Sequence, residues 1–264
     1  MKSGLFAGVA VLAMLGAGSA AADGFVNGGF ESGDITGWTQ GGGFRGGVDN
    51  ANLSPDYFNG GGGINDGGRG AVLTNHVDPN VGAALGSTVH SGTYSYRAEN
   101  TVSGGFATYI QQQVDNYTDA NIFFAWKSVL LGAHGPTDAA TMIIRLTDLT
   151  TGTDVITREY NAADDGSGID GRFSLLNGNY YTPDWQVEQL AIDRSLTGHD
   201  FLLTVLGADC APTAHHGYVY LDGFGAAPPT GAVPEPGTWA LLITGFGAVG
   251  TVMRRRRQPM ASAA

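Results

Sequence analysis

The chain has 264 residues, 43 of them Gly, with 14% charged residues, 24 Asp plus Glu against 13 Lys plus Arg, and a single Cys. An apolar content of 42% suffices for a packed core, which excludes a disordered polyelectrolyte, and one Cys excludes a disulfide scaffold. Between residues 23 and 232, eight basic side chains stand against twenty-three acidic ones; the net charge of −15 repels a phosphate backbone and excludes a nucleic-acid binder.

In chain order, residues 1–22 combine a positive start at Lys2, an apolar run from Leu5 to Leu15 and a small-residue stretch ending in Ala20-Ala21-Ala22. That layout predicts a cleaved secretory signal peptide and an exported protein. Residues 41–70 hold twelve Gly in thirty positions, a composition that fits either a mobile loop or a binding rim; a flexible loop is the expectation.

Runs rich in β-branched and aromatic residues, bounded by Gly, Asn, Asp or Pro, predict strands at Ala71–Thr74, Thr93–Ala98, Phe106–Val114, Ile122–Leu131, Thr141–Thr147, Asp154–Tyr160, Trp185–Ile192, Phe201–Leu206 and Gly217–Phe224. Alternation within Thr141–Thr147 places Met142, Ile144 and Leu146 on one face and Thr141, Arg145 and Thr147 on the other. Ile122-Phe123-Phe124-Ala125-Trp126 is apolar on both faces, as in a central strand. Thr150–Thr153 reads as a hairpin loop and Asn177-Gly178 as a tight turn. The expected fold class is therefore all-β, a single β-sandwich of jelly-roll type over residues 23–232, with few windows that suit a helix.

The C-terminal region runs Val233-Pro234-Glu235-Pro236-Gly237-Thr238-Trp239-Ala240, an apolar segment to Met253, then Arg254-Arg255-Arg256-Arg257 and a short tail, 258–264. A helix over 239–253 would measure about 22 Å, just enough to span with local thinning, and the Arg run predicts an orientation with residues 23–232 outside. Pro234-Glu235-Pro236, Trp239-Ala240 and Arg254 to Arg257, in this order over 233–257, resemble the PEP-CTERM sorting signal in its PEPxxWA form. The resemblance implies transient anchoring at the inner membrane, cleavage by a membrane protease of the exosortase type, and release to the cell surface or extracellular matrix.

A second resemblance rests on Phe25-Val26-Asn27-Gly28-Gly29-Phe30-Glu31 with Gly37-Trp38, Ser91-Gly92-Thr93-Tyr94-Ser95-Tyr96-Arg97, Gln111-Gln112-Gln113, Trp185, and Tyr218 to Asp222. These look like the galactose-binding-like jelly roll of carbohydrate-binding modules. The resemblance implies one structural calcium ion where the first and last strands meet, with Glu31 and Asp222 as carboxylate ligands and backbone carbonyls beside them. Asp222 is followed by Gly223 instead of a second acid, which removes one ligand the family often has.

Sugars are recognised by stacking on aromatic faces, with amides and carboxylates reading hydroxyls. Candidates for a glycan-binding surface are Tyr57, Phe58, Trp126, Tyr180 and Tyr181, with Gln111 and Gln113 as hydrogen-bonding partners. Trp38 and Trp185 are expected in the core. His215 and His216 point to opposite faces and cannot share a metal, and Cys210 is expected to be a buried thiol. Gly-x-Ser-x-Gly, His-Glu-x-x-His, Gly-x-x-x-x-Gly-Lys and Cys-x-x-Cys do not occur, and acids such as Asp164-Asp165 and Asp209 carry no catalytic spacing. The expected function is that of a non-catalytic exported protein binding extracellular polysaccharide. A structural or adhesive matrix protein without a glycan site is the alternative, and a carbohydrate-active hydrolase stands third.

Overall fold

The computed structural model describes residues 24–132, 135–163 and 169–230. The expected signal peptide at 1–22, the expected tail elements from 233 onward and Asp164-Asp165 lie outside them. Among the described residues the strands are β1 (Thr39–Phe44), β2 (Ala71–Thr74), β3 (Tyr94–Ala98), β4 (Phe106–Tyr117), β5 (Asn121–Leu131), β6 (Thr141–Asp148), β7 (Thr153–Asn161), β8 (Ser174–Leu176), β9 (Asn179–Tyr181), β10 (Gln186–Ala191), β11 (His199–Ala208) and β12 (Gly217–Gly225). A five-stranded sheet has the order β1-β4-β11-β6-β7, and a seven-stranded sheet runs β2-β3-β12-β5-β9-β8, with β10 also paired to β5. All pairings are antiparallel.

The alternation of apolar side chains decides which face is core. Ile110 and Val114 of β4, Met142, Ile144 and Leu146 of β6 and Phe201, Leu203 and Val205 of β11 meet Ile122, Phe124 and Trp126 of β5 and Val219 and Leu221 of β12 between the sheets. Phe25, Phe30 and Trp38 of the N-terminal segment join that core, and Gln112 binds Val26 through both amide atoms, its Oε1 accepting from Val26 N–H at 2.7 Å. The Asn177-Gly178 turn closes the β8–β9 hairpin with both residues at positive φ, 51° and 82°, as a two-residue hairpin loop of type I′ requires.

The Gly-rich stretch is not a loop throughout. It opens with β1, pairs Gly41, Gly42 and Gly43 with Tyr109, Thr108 and Ala107, and continues through a 3-10 turn at Asn50–Asn52 and the short helix α1 (Pro55–Asn59). Leu53 and Phe58 then bury themselves on Ala107, Tyr109, Ile143 and Leu206, a second apolar cluster on the outer face of the five-stranded sheet. Glycine is required at Gly42, where φ is 133° and a Cβ would run into the Ala107 carbonyl. Gly42→Ala is expected to destabilise by about 2 kcal/mol, read as a lower urea midpoint at unchanged slope.

Candidate functional site

Two places are assembled from the residues singled out above. The first joins the chain's ends. Asp222 on β12 is fully buried; its Oδ2 accepts from the backbone N–H of His90 and Ser91, both at 3.0 Å, while Oδ1 is buried without a hydrogen-bond partner. Glu31 accepts from the N–H of Thr93 at 3.1 and 3.0 Å and from that of Tyr94 at 3.1 Å. Both carboxylates thus converge on the His90–Tyr94 segment, and Gly29 lies between them: a Cβ there would sit 3.5 Å from Asp222 Oδ1 and 3.7 Å from the Glu31 Cγ. Burial is the main force pushing Asp222 up to about 7, and the Glu31 charge adds to it. Two hard oxygen donors, one an orphaned buried oxygen, have the chemistry calcium takes; no third His, Cys, Asp or Glu side chain joins them among the described residues, so the remaining ligands would be carbonyls and water.

The second place is the outer face of the five-stranded sheet. Registers align Thr39, Gln111, Thr204, Arg145 and Thr157 in one rank across β1, β4, β11, β6 and β7. A second rank holds Gln113, Leu202, Thr147 and Asp154. Arg145 Nε pairs with Asp154 Oδ2 at 3.0 Å, and Gln113 donates to Asp115 at 2.6 Å. The next rank, Tyr109, Leu206 and Ile143, is roofed by α1 and its flanks, and Asn59 and Asn65 donate to the Tyr109 hydroxyl at the edge of that roof. Apart from Leu202, the first two ranks carry amides, hydroxyls, one guanidinium and the Asp154 carboxylate, and they lie beside a step in the surface.

Of the aromatic candidates, Trp126, Phe58 and Tyr181 are buried, whereas Tyr57 and Tyr180 are half-buried. Trp126 is fully buried, its indole N–H donating to Glu188 Oε2 at 3.1 Å and its ring packed on Tyr160, so it has no face for a sugar. The reason is β5's alternation, which turns Trp126 inward with Ile122 and Phe124. Phe58 is buried because it anchors the roof, and Tyr57 is half-buried with its hydroxyl donating to the Arg45 carbonyl at 3.1 Å. Tyr181 is buried on β9 against Tyr218 and Val129, and Tyr180 is half-buried over Leu130. Trp38 lies in the core as expected, its Nε1 donating to the Asn27 carbonyl. Trp185, expected in the core, keeps part of its ring at the surface. His216 Nε2 is 2.7 Å from Asn179 Oδ1, and the buried Cys210 Sγ accepts from the N–H of Ala214 and His215.

Asp209, read as an unremarkable acid, is fully buried; its side chain accepts from Phe106 N–H and Gly217 N–H. Burial pushes it up to about 7, with the nearby Glu99 charge adding to the effect, and burial raises Glu99 as well. A carboxyl whose folded value lies above its unfolded one contributes stability in full below about pH 4 and loses it as the pH rises through about 7. In chelator the raised carboxyls of Asp209 and Asp222 are expected to make the melting temperature fall from pH 5 to pH 8, against the smaller opposite slope of His216, which burial holds down at about 4. Asp209→Asn should flatten that slope, which scanning calorimetry across the range would show.

Residues 232–257 match the PEP-CTERM protein-sorting motif. No curated protein matches the chain. Among solved structures, the chain is similar to the module TmCBM61 in complex with β-1,4-galactotriose, at 13% identity, TM-score 0.40, covering 77% of this chain and 97% of that one. It is also similar to CBM27-1 of Caldicellulosiruptor saccharolyticus in complex with mannohexaose, at 11% identity, TM-score 0.39, covering 76% and 96%. A third is CBM28, a non-crystalline cellulose specific carbohydrate-binding module, at 12% identity, TM-score 0.36, covering 78% and 95%. The chain is an exported protein that bears a PEP-CTERM envelope-sorting motif behind an all-β sandwich.

Proposed function

We propose that the protein is a non-catalytic polysaccharide-binding component of the cell surface or extracellular matrix, released there after an exosortase-type protease removes its tail. The observation that carries this reading is the outer face of the five-stranded sheet, where Thr39, Gln111, Arg145 and Thr157 form a rank beside the roof over Tyr109, with the buried Thr204 hydroxyl donating to Gln111. Amides, hydroxyls and a guanidinium spaced by the ~4.8 Å strand separation can read successive hydroxyls of an extended sugar chain, and no deep cleft is needed for that. Nothing in this rank pairs two carboxylates across a cleft as glycoside hydrolysis would use.

A structural calcium held by Glu31 and Asp222, with neighbouring carbonyls, belongs to the same reading. It would lock the N-terminal segment to β12 and to the His90–Tyr94 segment; its chemistry is charge neutralisation, with no part in a reaction. The test is co-sedimentation of the chain with the producing organism's extracellular polysaccharide, alongside a reducing-end assay. Binding without release of reducing ends is expected, and Gln111→Ala combined with Arg145→Ala should weaken it about tenfold. Release of new reducing ends abolished by a single acid substitution would replace the reading with a hydrolase, and absence of co-sedimentation would favour a structural matrix protein.

A further inference from the structure

The outer face of the seven-stranded sheet carries a feature that the polar rank does not use. Tyr218, Tyr220, Lys127 and Val129 project from β12 and β5 on this side, and Val81 and Leu85 of the preceding segment cover them. At the border of that cover stands Trp185, just before β10. Its indole N–H donates to the Ser87 carbonyl at 3.0 Å, which fixes the ring against rotation, while part of the ring remains at the surface. Of the Trp residues described, Trp38 and Trp126 are buried, so Trp185 is the one with an accessible ring.

Its surroundings are polar in a specific way. The half-exposed His90 imidazole meets the indole edge-on at 5.5 Å between centroids. The His90 Nδ1 is buried without a partner, which leaves Nε2 as the ring nitrogen that can exchange a hydrogen bond with a ligand. The Lys127 ammonium lies 5.8 Å from the indole centroid, is buried, and donates to the Leu85 carbonyl. Asp184, directly before Trp185, is exposed and its charge acts on Lys127. Val187, 48% exposed two residues on, extends the apolar surface along β10.

From this geometry we infer a saccharide subsite on the outer face of the seven-stranded sheet, in which a neutral pyranose ring stacks on Trp185 and its hydroxyls are read by His90 and Asp184. A fixed aromatic plane costs little ordering entropy on binding, and the flanking imidazole and carboxylate supply direction. The Lys127 ammonium is buried and engaged by the Leu85 carbonyl, Asp184 is exposed, and residues 23–232 carry a net charge of −15, which disfavours an anionic sugar, hence the neutral class. The inference rests on the reading of the protein as a polysaccharide binder and adds a surface on the opposite sheet from the polar rank.

The test uses the full-length chain in detergent, labelled with 5-fluorotryptophan, with the Trp185 fluorine line assigned by its loss in Trp185→Phe. Titration with β-1,4-linked gluco-, manno- and galacto-hexaose and with fragments of the producer's polysaccharide should shift the Trp185 line saturably for at least one sugar and leave the lines of Trp38 and Trp126 in place. Trp185→Ala should weaken that sugar about tenfold, and Trp185→Phe much less. If the sugar binds in equilibrium dialysis while the Trp185 line stays still, the subsite is wrong and the polysaccharide reading stands. If the wild-type chain binds none of the probes, both fall. Should Trp185→Ala fail to fold, the wild-type fluorine titration decides alone.

Discussion

Replacing Arg45 by Met is expected to destabilise the protein by about 3–5 kcal/mol, the largest effect of any single substitution argued from this fold. Arg45 is fully buried. Its Nη1 donates to the carbonyls of Asp209 at 2.6 Å and Ala139 at 3.4 Å, and its Nη2 to the Val48 carbonyl at 2.7 Å and Asn50 Oδ1 at 2.8 Å. Asn50 in turn donates to Glu159 Oε1 at 2.9 Å, as does Asn161. One guanidinium therefore ties the segment after β1 to the ends of β11 and β7. Burial lowers Arg45 to about 10, so it stays charged at neutral pH, with Asp138, Asp209 and Glu159 among the groups whose charge opposes that shift. Met fills much of the volume but leaves four acceptors without a donor, and the roof over Tyr109 loses its anchor. Urea unfolding measures the loss; a change below about 1 kcal/mol would show that water replaces the guanidinium at little cost.

Calcium addition is the second large effect. At 10 mM, a hundredfold above the ~10⁻⁴ M dissociation constant of many extracellular sites, the ion should stabilise by about 2.7 kcal/mol and raise the melting temperature by roughly 5–10 °C. Asp222→Asn should abolish the increment while keeping the hydrogen bonds that Oδ2 accepts from His90 and Ser91 feasible, because an amide oxygen in that place can still accept from their N–H groups. Chelator should return the wild type to its starting value. Equal melting temperatures in calcium and chelator would mean that Asp222 Oδ1 is accommodated by protonation, to which its elevated value already inclines it.

Much of the sandwich was legible because period-two alternation is a local property. Met142, Ile144 and Leu146 face the core and Arg145 and Thr147 face out, and the nine strands read from the sequence reappear within two residues of their observed starts. β1 was not legible: three successive Gly carry no side chain to alternate, and what makes them a strand is the close approach of Tyr109, Ala107 and Ile64, which is tertiary. β8 and β9, three residues each, were visible only through the Asn177-Gly178 turn between them.

The site was legible in part, and the reason is the same. Glu31 and Asp222 are brought to one segment, an arrangement implied by the family resemblance and not by their spacing. For the aromatic residues, local polarity is a poor guide to exposure. Tyr57-Phe58 sits in polar sequence yet Phe58 is buried, because the step it builds needs an apolar anchor. Trp126 is turned inward by β5's register, and Trp185, expected in the core, is held by the Ser87 carbonyl at the border of the covering segment. Gln111 and Gln113 do lie on the outer face, half-buried and exposed respectively, as alternation along β4 allows, with Gln112 between them turned in to Val26.

The central claim is that the sandwich binds polysaccharide, and affinity electrophoresis of the full-length chain in detergent tests it most directly. Native gels cast with and without the producer's extracellular polysaccharide, in calcium and in chelator, should show retardation that grows with polysaccharide concentration and weakens in chelator. Mobility unchanged at every polysaccharide concentration, for a chain that still melts cooperatively, would contradict the claim and leave a matrix protein that acts through protein contacts.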